Sequence, residues 1–581
     1  MTRNRTIWML CVALAAAGVP TSAGAQQMTD ARIRELIKEA SSQAGRPNTL
    51  SDAPQAATAA ASSVVALTLE DAVKFALERN LDISVQRLNP QISDIAIASA
   101  RSVYNPSLTS TVLQSSTHGT PTSQLQLSSG GGGTNAEALN YNGGIVQALP
   151  WGGGAFQASL NNSRGITNSN NALFNPQFNS TWTALYVQPL LRNFKIDSSR
   201  QQLQVSKINR DISDVQLRAT ITNTLSNVRN AYWDYVFAIQ AVEVAQQSLD
   251  LATKLVQDNQ TRVEVGTMAP IDVVQAQSEQ ATRRQALVNA QSIRRTAELS
   301  LKRLIVAGTQ DPNWTAELDP IDRPDFRPES IDIESAVRRA LSERTDLEIA
   351  KKNLESNDVS LRFLQDQMKP QADLQAQYGF SGIGGTNYVR DNRVLGSPIT
   401  QINPGGIGDA FSTLFRNQYP RWTVQLNIAY PIGLSQQEAS VARARVQFNQ
   451  VQAQLKQIEL QIATDVTNAA IQARNTSEAV QAARVARELA EKKLEAEQSK
   501  FEVGMSTNYF VVQAQRDLSD ARNSELRAIL NYRKSLVELE RLQQTTLQNL
   551  NITLINAGGG AGVTIRGGGG APGGQGGGGG Q

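Results

Sequence analysis

Apolar residues in this chain recur first at helical spacing, then at every second position, then at helical spacing again, and the whole series is then repeated. Leu69, Ala72, Val73, Ala76 and Leu77 follow the helical period. Thr68 stands where a cap is needed and Asp71 at the third helical position, so a helix begins there. A second helix follows to about Tyr104 and is ended by Pro106, which cannot continue the backbone ladder and restricts the residue before it. The pattern then alternates. Candidate strands run Ser107 to Leu113, Tyr141 to Leu149, Ala155 to Asn162 and Thr181 to Pro189, the last with Trp182, Ala184 and Tyr186 on one face. Ser128 to Thr134 and the Asn/Ser-rich Thr167 to Asn179 suit exposed loops. From about Ser198 to Val263 there is neither proline nor glycine, which predicts a helix of ~65 residues, ~100 Å long at 1.5 Å per residue. A helix of that length must pack against other long helices.

The second series reads the same way. Ala372, Leu374, Ala376 and Tyr378 alternate with Asp373, Gln375 and Gln377; Trp422, Val424, Leu426, Ile428 and Tyr430 alternate with Thr423, Gln425, Asn427 and Ala429. Apolar on one face and polar on the other for about ten residues suits a tilted strand between lipid and water, and equally one half-buried strand of a soluble sheet. Gln436 to Phe501 is the second long helix. Each long helix stops at Val-Gly, at Gly266 and Gly504, and another begins within a few residues. Pro270 suits the first turn of one return helix, and Ser506, Thr507 and Asn508 offer caps to the other.

The two series superimpose residue by residue. Asn230 to Leu304 overlays Asn468 to Leu542 at an offset of 238 (468 less 230), bringing Val265-Gly266 onto Val503-Gly504 and Val273-Val274-Gln275-Ala276-Gln277 onto Val511-Val512-Gln513-Ala514-Gln515. Glu70, Ala72, Val73, Ala76, Leu77, Asp82, Asn89 and Pro106 meet their own kind at an offset of 264 (334 less 70). The chain is therefore two tandem copies of one unit, and the first copy carries 26 extra residues (264 less 238) before its long helix, enough for an additional hairpin. A unit this long is no solenoid repeat of ~20 to 50 residues. The halves read as pseudo-symmetric parts of one object.

Composition narrows the class. Arg3 and Arg5, an apolar run from Ile7 to Val19 and Ala23-Gly24-Ala25 read as a secretory signal peptide over residues 1–25, the run being shorter than the ~20 apolar residues of a spanning helix. Its removal takes Cys11, the only cysteine of the 581 residues, and two arginines from a formal charge of +3, leaving a nearly neutral chain with no thiol and no Cys-based metal site. No later segment resembles a transmembrane helix, so strands would have to make any membrane crossing. Nothing suggests nucleic acid.

Ala76-Leu77-Glu78-Arg79-Asn80-Leu81-Asp82-Ile83, its copy Ala340-Leu341-Ser342-Glu343-Arg344-Thr345-Asp346-Leu347, and the tip motifs from Val265 to Val273 and from Phe501 to Asn508 resemble those of the TolC-like outer-membrane efflux proteins over about Thr68 to Leu550. The resemblance implies a mixed α/β membrane protein: a homotrimer in which each protomer gives four strands to one outer-membrane β-barrel, continued by a long periplasmic coiled-coil barrel of helices. The 26 extra residues leave open whether this chain gives four or six. The expected organisation is a signal peptide at 1–25, an extension and linker at 26–67 with a short helix from Thr29 to Gln43, a first repeat at 68–306, a connector at 307–330, a second repeat at 331–550 and a glycine-rich, disordered tail at 551–581. The implied function is the exit duct of a tripartite efflux pump or type I secretion system, without enzymatic activity or cofactor. Its partners would be a periplasmic adaptor docking on the tips at Val265, Gly266, Thr267, Val503, Gly504 and Met505, an inner-membrane transporter, and outer-membrane lipid. Family members often close the tunnel with aspartates past the second tip. Here Asp272 is matched by Phe510, and the position three residues on is Gln275 or Gln513, so the constriction at these four residues is expected to be less acidic.

Other classes fit less well. His118 is the only histidine and lies in a Ser/Thr/Gly-rich stretch read as an exposed loop, leaving little material for a catalytic triad or a His-based zinc site. No Gly-Lys-Ser/Thr sequence supports phosphate binding. A periplasmic coiled-coil adaptor or structural protein is the alternative, but an adaptor carries one helical hairpin rather than a repeated strand-plus-hairpin unit. A porin would be almost wholly strand.

Overall fold

The computed structural model describes residues 35, 38, 64–120, 134–169, 172–323, 326–390, 398–430, 432–433, 435–555 and 562–565. They fall into two units, Pro54–Asn549 and a smaller one made of Met1–Ala53 with Leu550–Gln581. The expected signal peptide lies outside the described residues, as does the expected Thr29–Gln43 helix apart from Glu35 and Lys38, both helical.

The larger unit opens with strand β1 (Val64–Leu67), helices α1 (Leu69–Arg79), α2 (Leu81–Gln86) and α3 (Leu88–Ser102), and four strands, β2 (Ser107–Gly119), β3 (Thr134–Ala148), β4 (Ala155–Thr167) and β5 (Phe174–Pro189). The long helix α4 (Ser198–Glu264) and its return α5 (Pro270–Ile305) follow, then a short α6 (Pro312–Thr315) and β6 (Glu317–Pro320). The second half holds α7 (Ile333–Glu343), α8 (Thr345–Gln367), β7 (Gln371–Arg390), β8 (Ile399–Asn403), α9 (Ile407–Phe415), β9 (Tyr419–Ala429), the long α10 (Gln436–Glu502), its return α11 (Asn508–Leu542) and α12 (Thr546–Asn549). The sequence overlay holds to the residue: α1 shifted by 264 is α7, and α4 shifted by 238 is α10.

Capping follows the expected chemistry. The Thr68 hydroxyl accepts from the Asp71 amide, and Ser435 and Glu438 form a reciprocal capping box on α10. β1 and β6 pair in parallel, an element that the expected linker (26–67) and connector (307–330) concealed. Asp322 holds this pair down: its carboxylate accepts from the Leu69 amide at 2.7 Å and from the buried Tyr232 hydroxyl on α4 at 2.9 Å.

β2 to β5, β7 and β9 form one continuous antiparallel sheet in the order β2-β3-β4-β5-β7-β9, and β8 pairs with the far end of β7. This chain thus departs from the four strands its resemblance implies: the extra residues of the first repeat add a hairpin to the same wall. The strands also outrun the visible apolar alternation. His118 lies in β2, paired with Asn135, rather than in a loop, and β5 begins at Phe174 inside the stretch expected to be loop. Polar residues at these far ends keep pairing because the ladder is a backbone interaction. Of the Ser128–Thr134 loop only Thr134 is described, and it begins β3.

Cross-strand register fixes the faces. Leu108 pairs with Ile145, Val112 with Tyr141, Ile145 with Ala158, Phe156 with Tyr186, Leu160 with Trp182, Trp182 with Phe380, Tyr378 with Trp422 and Leu374 with Leu426. Paired residues share a face, so one face of all six strands is mainly apolar, broken by Asn162 and Ser180, while Thr109, Asn142, Ser159, Thr183, Gln375 and Gln425, with Val146 and Leu185 among them, represent the other. Aromatic residues on the apolar face lie near the helices at Phe156, Tyr186 and Tyr430 and farther out at Tyr141, Trp182, Tyr378, Phe380 and Trp422, with Phe178 beyond them, as suits a wall with membrane interfaces. α9, which the sequence reading missed, packs on this same face at its far end, where Gly382 and Gly384 make room for it.

The smaller unit contains an antiparallel pair, β10 (Ile552–Ile555) with β11 (Gly562–Ile565), within the stretch expected to be a structureless tail.

A Cβ at Gly382 would stand 1.9 Å from the Ala410 carbonyl oxygen. Gly382→Ala is expected to lift α9 from β7, at a cost of ~1–3 kcal/mol for overpacking, and to speed tryptic cleavage after Arg416. Unchanged cleavage would contradict this packing.

Candidate functional site at the helical tips and entrance

Both long helices end in the same turn. In the first, the Gly266 amide bonds the Val263 carbonyl at 3.0 Å and the Thr267 amide the Arg262 carbonyl at 2.8 Å; in the second, Gly504 bonds Phe501 at 3.2 Å and Met505 bonds Lys500 at 2.8 Å. This is the Schellman pattern, which needs a left-handed residue after the cap. Gly266 and Gly504 both have φ +78°, and a Cβ at either would point into open space. Backbone conformation, rather than a close neighbour, is what requires glycine here. Around the turns Val265, Val503 and Met505 are 68%, 70% and 79% exposed, so each tip presents apolar side chains to water. Met505, Ser506, Thr507 and Phe510 line a shallow pocket with Glu497 and Lys500.

Just behind the tips the two hairpins are fastened together. Leu255, Val256 and Ala276 of the first pack with Leu494, Phe501, Val511, Ala514 and Leu518 of the second. The buried Asn259 donates to the Asn508 side chain at 3.0 Å, and Asn508 donates on to the Asp272 carbonyl oxygen at 3.3 Å. The Arg262 guanidinium lies 4.5 Å from the centre of the Phe501 ring.

The four candidate constriction residues are distributed unevenly. Asp272 is half-buried in the first turn of α5 and Gln275 is exposed. Phe510 is exposed and packs edge-on against Tyr509 at 5.6 Å. Gln513 is half-buried and donates to Asp517 at 2.8 Å, while Asp517 also pairs with Lys493 at 2.7 Å. These bonds, the lysine first, hold the Asp517 carboxyl below its usual range.

Two carboxylates that sequence reasoning passed over define the electrostatics. Glu279 and Asp517 occupy the same place in the two repeats, four residues beyond Gln275 and Gln513. Glu279 is 2% exposed and accepts from Arg283 of its own helix at 2.7 Å and from Arg516 of the other hairpin at 2.9 Å. Burial works against its charge, but Arg516 and Arg283 outweigh burial and keep it ionised below the ordinary value of 4.5. Both carboxylates lie inside the repeat overlay, one helical turn beyond Gln275 and Gln513, and could have been read there; what the sequence does not show is the Arg516–Glu279 contact, which joins one repeat to the other. Among the described residues no cluster of His, Cys, Asp and Glu could hold a metal, and no helix is long and apolar enough to cross a membrane.

A sheet apolar across one face, joined to paired helices of 67 residues, defines a class in which a membrane wall continues into a helical conduit. The family model for the outer membrane efflux protein matches residues 152–306 and 336–543, and the chain belongs to that family. Its place is accordingly the outer membrane and its work that of an efflux exit duct. Solved structures share the fold. The CmeC outer membrane channel of Campylobacter jejuni matches with a TM-score of 0.58 at 13% identity, covering 82% of this chain and 85% of that one. The outer membrane protein VceC of Vibrio cholerae matches with a TM-score of 0.57 at 14% identity, covering 82% and 95%. The open state of the MtrE outer membrane channel of Neisseria gonorrhoeae matches with a TM-score of 0.54 at 16% identity, covering 82% and 88%. No curated protein sequence matches the chain.

Because Glu279 titrates lower when folded, its stabilisation is full above the unfolded value and is lost as pH falls through the folded one. Arg516→Ala should cost ~1–3 kcal/mol at neutral pH, less than a fully buried pair because Arg516 is half exposed. It should also flatten the acid loss of thermal stability below about pH 4.5. Melting followed by circular dichroism at pH 7 and pH 3.5 checks both, and an undiminished acid loss in the variant would count against the pair.

Proposed function

We propose that three copies of this chain form one duct, with a shared barrel in the outer membrane and a shared tunnel of helices in the periplasm, and that it conducts passively, without catalysis or cofactor. The observation that carries the assembly is a pair of unpartnered apolar stripes on the helices. On α10, Val446, Leu460, Ile471 and Val485 are exposed at intervals of 14, 11 and 14 residues, which keeps them on one face of a helix with ~3.5 to 3.7 residues per turn. On α5, Val274, Val288 and Leu299 follow the same intervals. A long helix with an apolar stripe facing water requires a neighbouring helix, and further copies supply it.

The tips are the docking surface for a periplasmic adaptor, through Val265, Gly266, Thr267, Val503, Gly504 and Met505, and an inner-membrane transporter supplies the energy. Exposed valines and methionine on two rigid turns suit apolar contact with another helical hairpin. Just inside, Phe510 narrows the entrance sterically and Gln513 by hydrogen bonding. The nearby acids Glu279 and Asp517 are neutralised by Arg516, Arg283 and Lys493, so the entrance is less acidic than an open aspartate ring.

Cryo-electron microscopy of the detergent-purified protein should show a threefold hollow particle with a tunnel on the order of 100 Å; a monomer without a channel would end this reading. Val503→Asp with Met505→Asp should weaken binding of an adaptor that binds the unmodified duct at least tenfold, with melting unchanged. In planar bilayers Phe510→Ala should raise single-channel conductance, and a trivalent cation added from the periplasmic side should block only weakly. Strong block that survives Asp272→Ala would refute the account of the entrance.

A further inference from the structure

We infer that the barrel has eighteen strands, closed by pairing β2 of each copy with β9 of the next, in place of the twelve that four strands per protomer would give. The inference rests on the three-copy reading above and concerns what those copies build.

The extra hairpin belongs to the wall. β3 is hydrogen-bonded along its length to β2 on one side and β4 on the other, with no break in register. Leu108 and Val112 on β2 and Tyr141 and Ile145 on β3 continue the apolar face of β4, β5, β7 and β9, and Tyr141 falls in the outer aromatic row. A hairpin lining the lumen or lying over the mouth would have no reason to carry the lipid-facing alternation.

Among the described residues the outer edges of β2 and β9 remain without a partner, as does that of the short β8 at the far end. β2 and β9 are exposed nearly throughout, with Leu108, Val112, Trp422, Val424 and Ile428 bare. They run in opposite directions, β2 away from the helices and β9 back toward them, so β2 of a second copy meets β9 antiparallel. Length also suits, with 13 residues against 11.

Register closes as well. Following paired residues straight across the sheet from Ser107 leads to Val146, Gln157, Leu185, Gln377 and Thr423. Thr423 lies six positions above Ala429, the helix-side end of β9. If the helix-side ends of neighbouring copies stand level, Ser107 of one copy meets Ala429 of the next. The stagger is then about six residues per copy and about eighteen around the barrel, a shear equal to the strand number. Equal shear and strand number correspond to a tilt of ~36°, as in the eight-stranded barrel of shear 8, and within the ~35–45° of outer-membrane barrels. The same register preserves the faces: Leu108 meets Ile428 and Val112 meets Val424 on the lipid side, and Thr109 meets Asn427 and Thr111 meets Gln425 on the water side.

Barrel diameter grows roughly linearly with strand number, so this mouth is about half again as wide as a twelve-stranded one and falls in the range that leaves an open aqueous channel. The number of tunnel helices is unchanged by the extra hairpin. Selection by size is therefore confined to the helical end, and the mouth admits anything the tunnel passes.

The test is a cysteine pair across the seam, Thr111→Cys with Gln425→Cys, introduced into the full chain, whose single native cysteine is Cys11. Mild oxidation in outer membranes should give covalent dimers and trimers on non-reducing gels. Thr111→Cys with Leu426→Cys, on opposite faces, should give none. Strand counting in the cryo-electron map is the second readout. Eighteen strands with the cross-link establishes the seam. A threefold particle with twelve strands, the β2–β3 hairpin lying off the wall and no cross-link, overturns this inference and leaves the duct intact. A particle without threefold symmetry overturns the reading on which it rests.

Discussion

Hydrocarbon offers no hydrogen bonds, so every backbone amide and carbonyl that enters it must find its partner in protein. The rest of this structure can be ordered around that constraint. It explains why the membrane part is sheet although most of the chain is helix, since among the described residues no helix is apolar enough to span. It also explains why one face of β2, β3, β4, β5, β7 and β9 carries most of their large apolar residues. Among the described residues a single chain does not meet the constraint, because β2 and β9 keep bare edges. Such edges in a monomer would be sites of indiscriminate pairing, so the need for further copies is written into the sheet before the helices are considered.

The helices answer a different requirement. In water they can satisfy their own backbones, but a helix of ~100 Å has no core of its own. Each therefore folds back at a glycine turn and packs on its return helix, and the two hairpins then pack on each other through small residues such as Ala276 and Ala514. Polar ties reinforce this at intervals: Arg218 with Glu348 at 2.8 Å, Lys534 with Asp234 at 2.6 Å, Arg229 with Glu540, and Arg516 with Glu279. All four join elements of the first repeat to elements of the second. The halves are thus welded into one unit despite their common ancestry of pattern.

What could be read from the sequence was whatever depends on local period and local chemistry. The long helices were legible because Ser198 to Val263 and Gln436 to Phe501 lack any breaker, and the turns because Val-Gly recurs at the same place. Trp422 to Tyr430 announced a strand by alternation. The polar far ends of β2 and β5 did not, since Ser115 to His118 and Phe174 to Asn179 owe their extended form to pairing with distant residues. The β1–β6 pair was invisible for the same reason, its partners standing some 250 residues apart. α9 is nine residues long and its place is set by two glycines on β7, so nothing near it in sequence points to where it packs. At the entrance, Asp272, Gln275, Phe510 and Gln513 were found by position in the repeat, whereas the role of Glu279 depends on Arg516 of the other repeat and that of Asp517 on Lys493 across its own hairpin.

That last contrast bears on how a duplicated chain acquires an asymmetric entrance. Glu279 and Asp517 began, by the overlay, as equivalent positions, yet one is sealed between two arginines and the other rests on a lysine at the surface. The difference comes from Arg516, whose counterpart in the first repeat is Ser278, and from Lys493, whose counterpart is Leu255. Asn508 likewise faces Asn259 where the opposite pairing would place Pro270 against Glu497. Arg516 and Asn508 make contacts between the unlike halves, whereas Lys493 pairs with Asp517 inside the second repeat. The hairpin of the second repeat is left with the surface acid and with Phe510, and the hairpin of the first with the buried clamp. In the threefold arrangement proposed above the two kinds of hairpin alternate around the entrance: both expose their tips, Val265 in the first repeat and Val503 and Met505 in the second, but the second adds the exposed Phe510, while Glu279 of the first is held in the buried clamp.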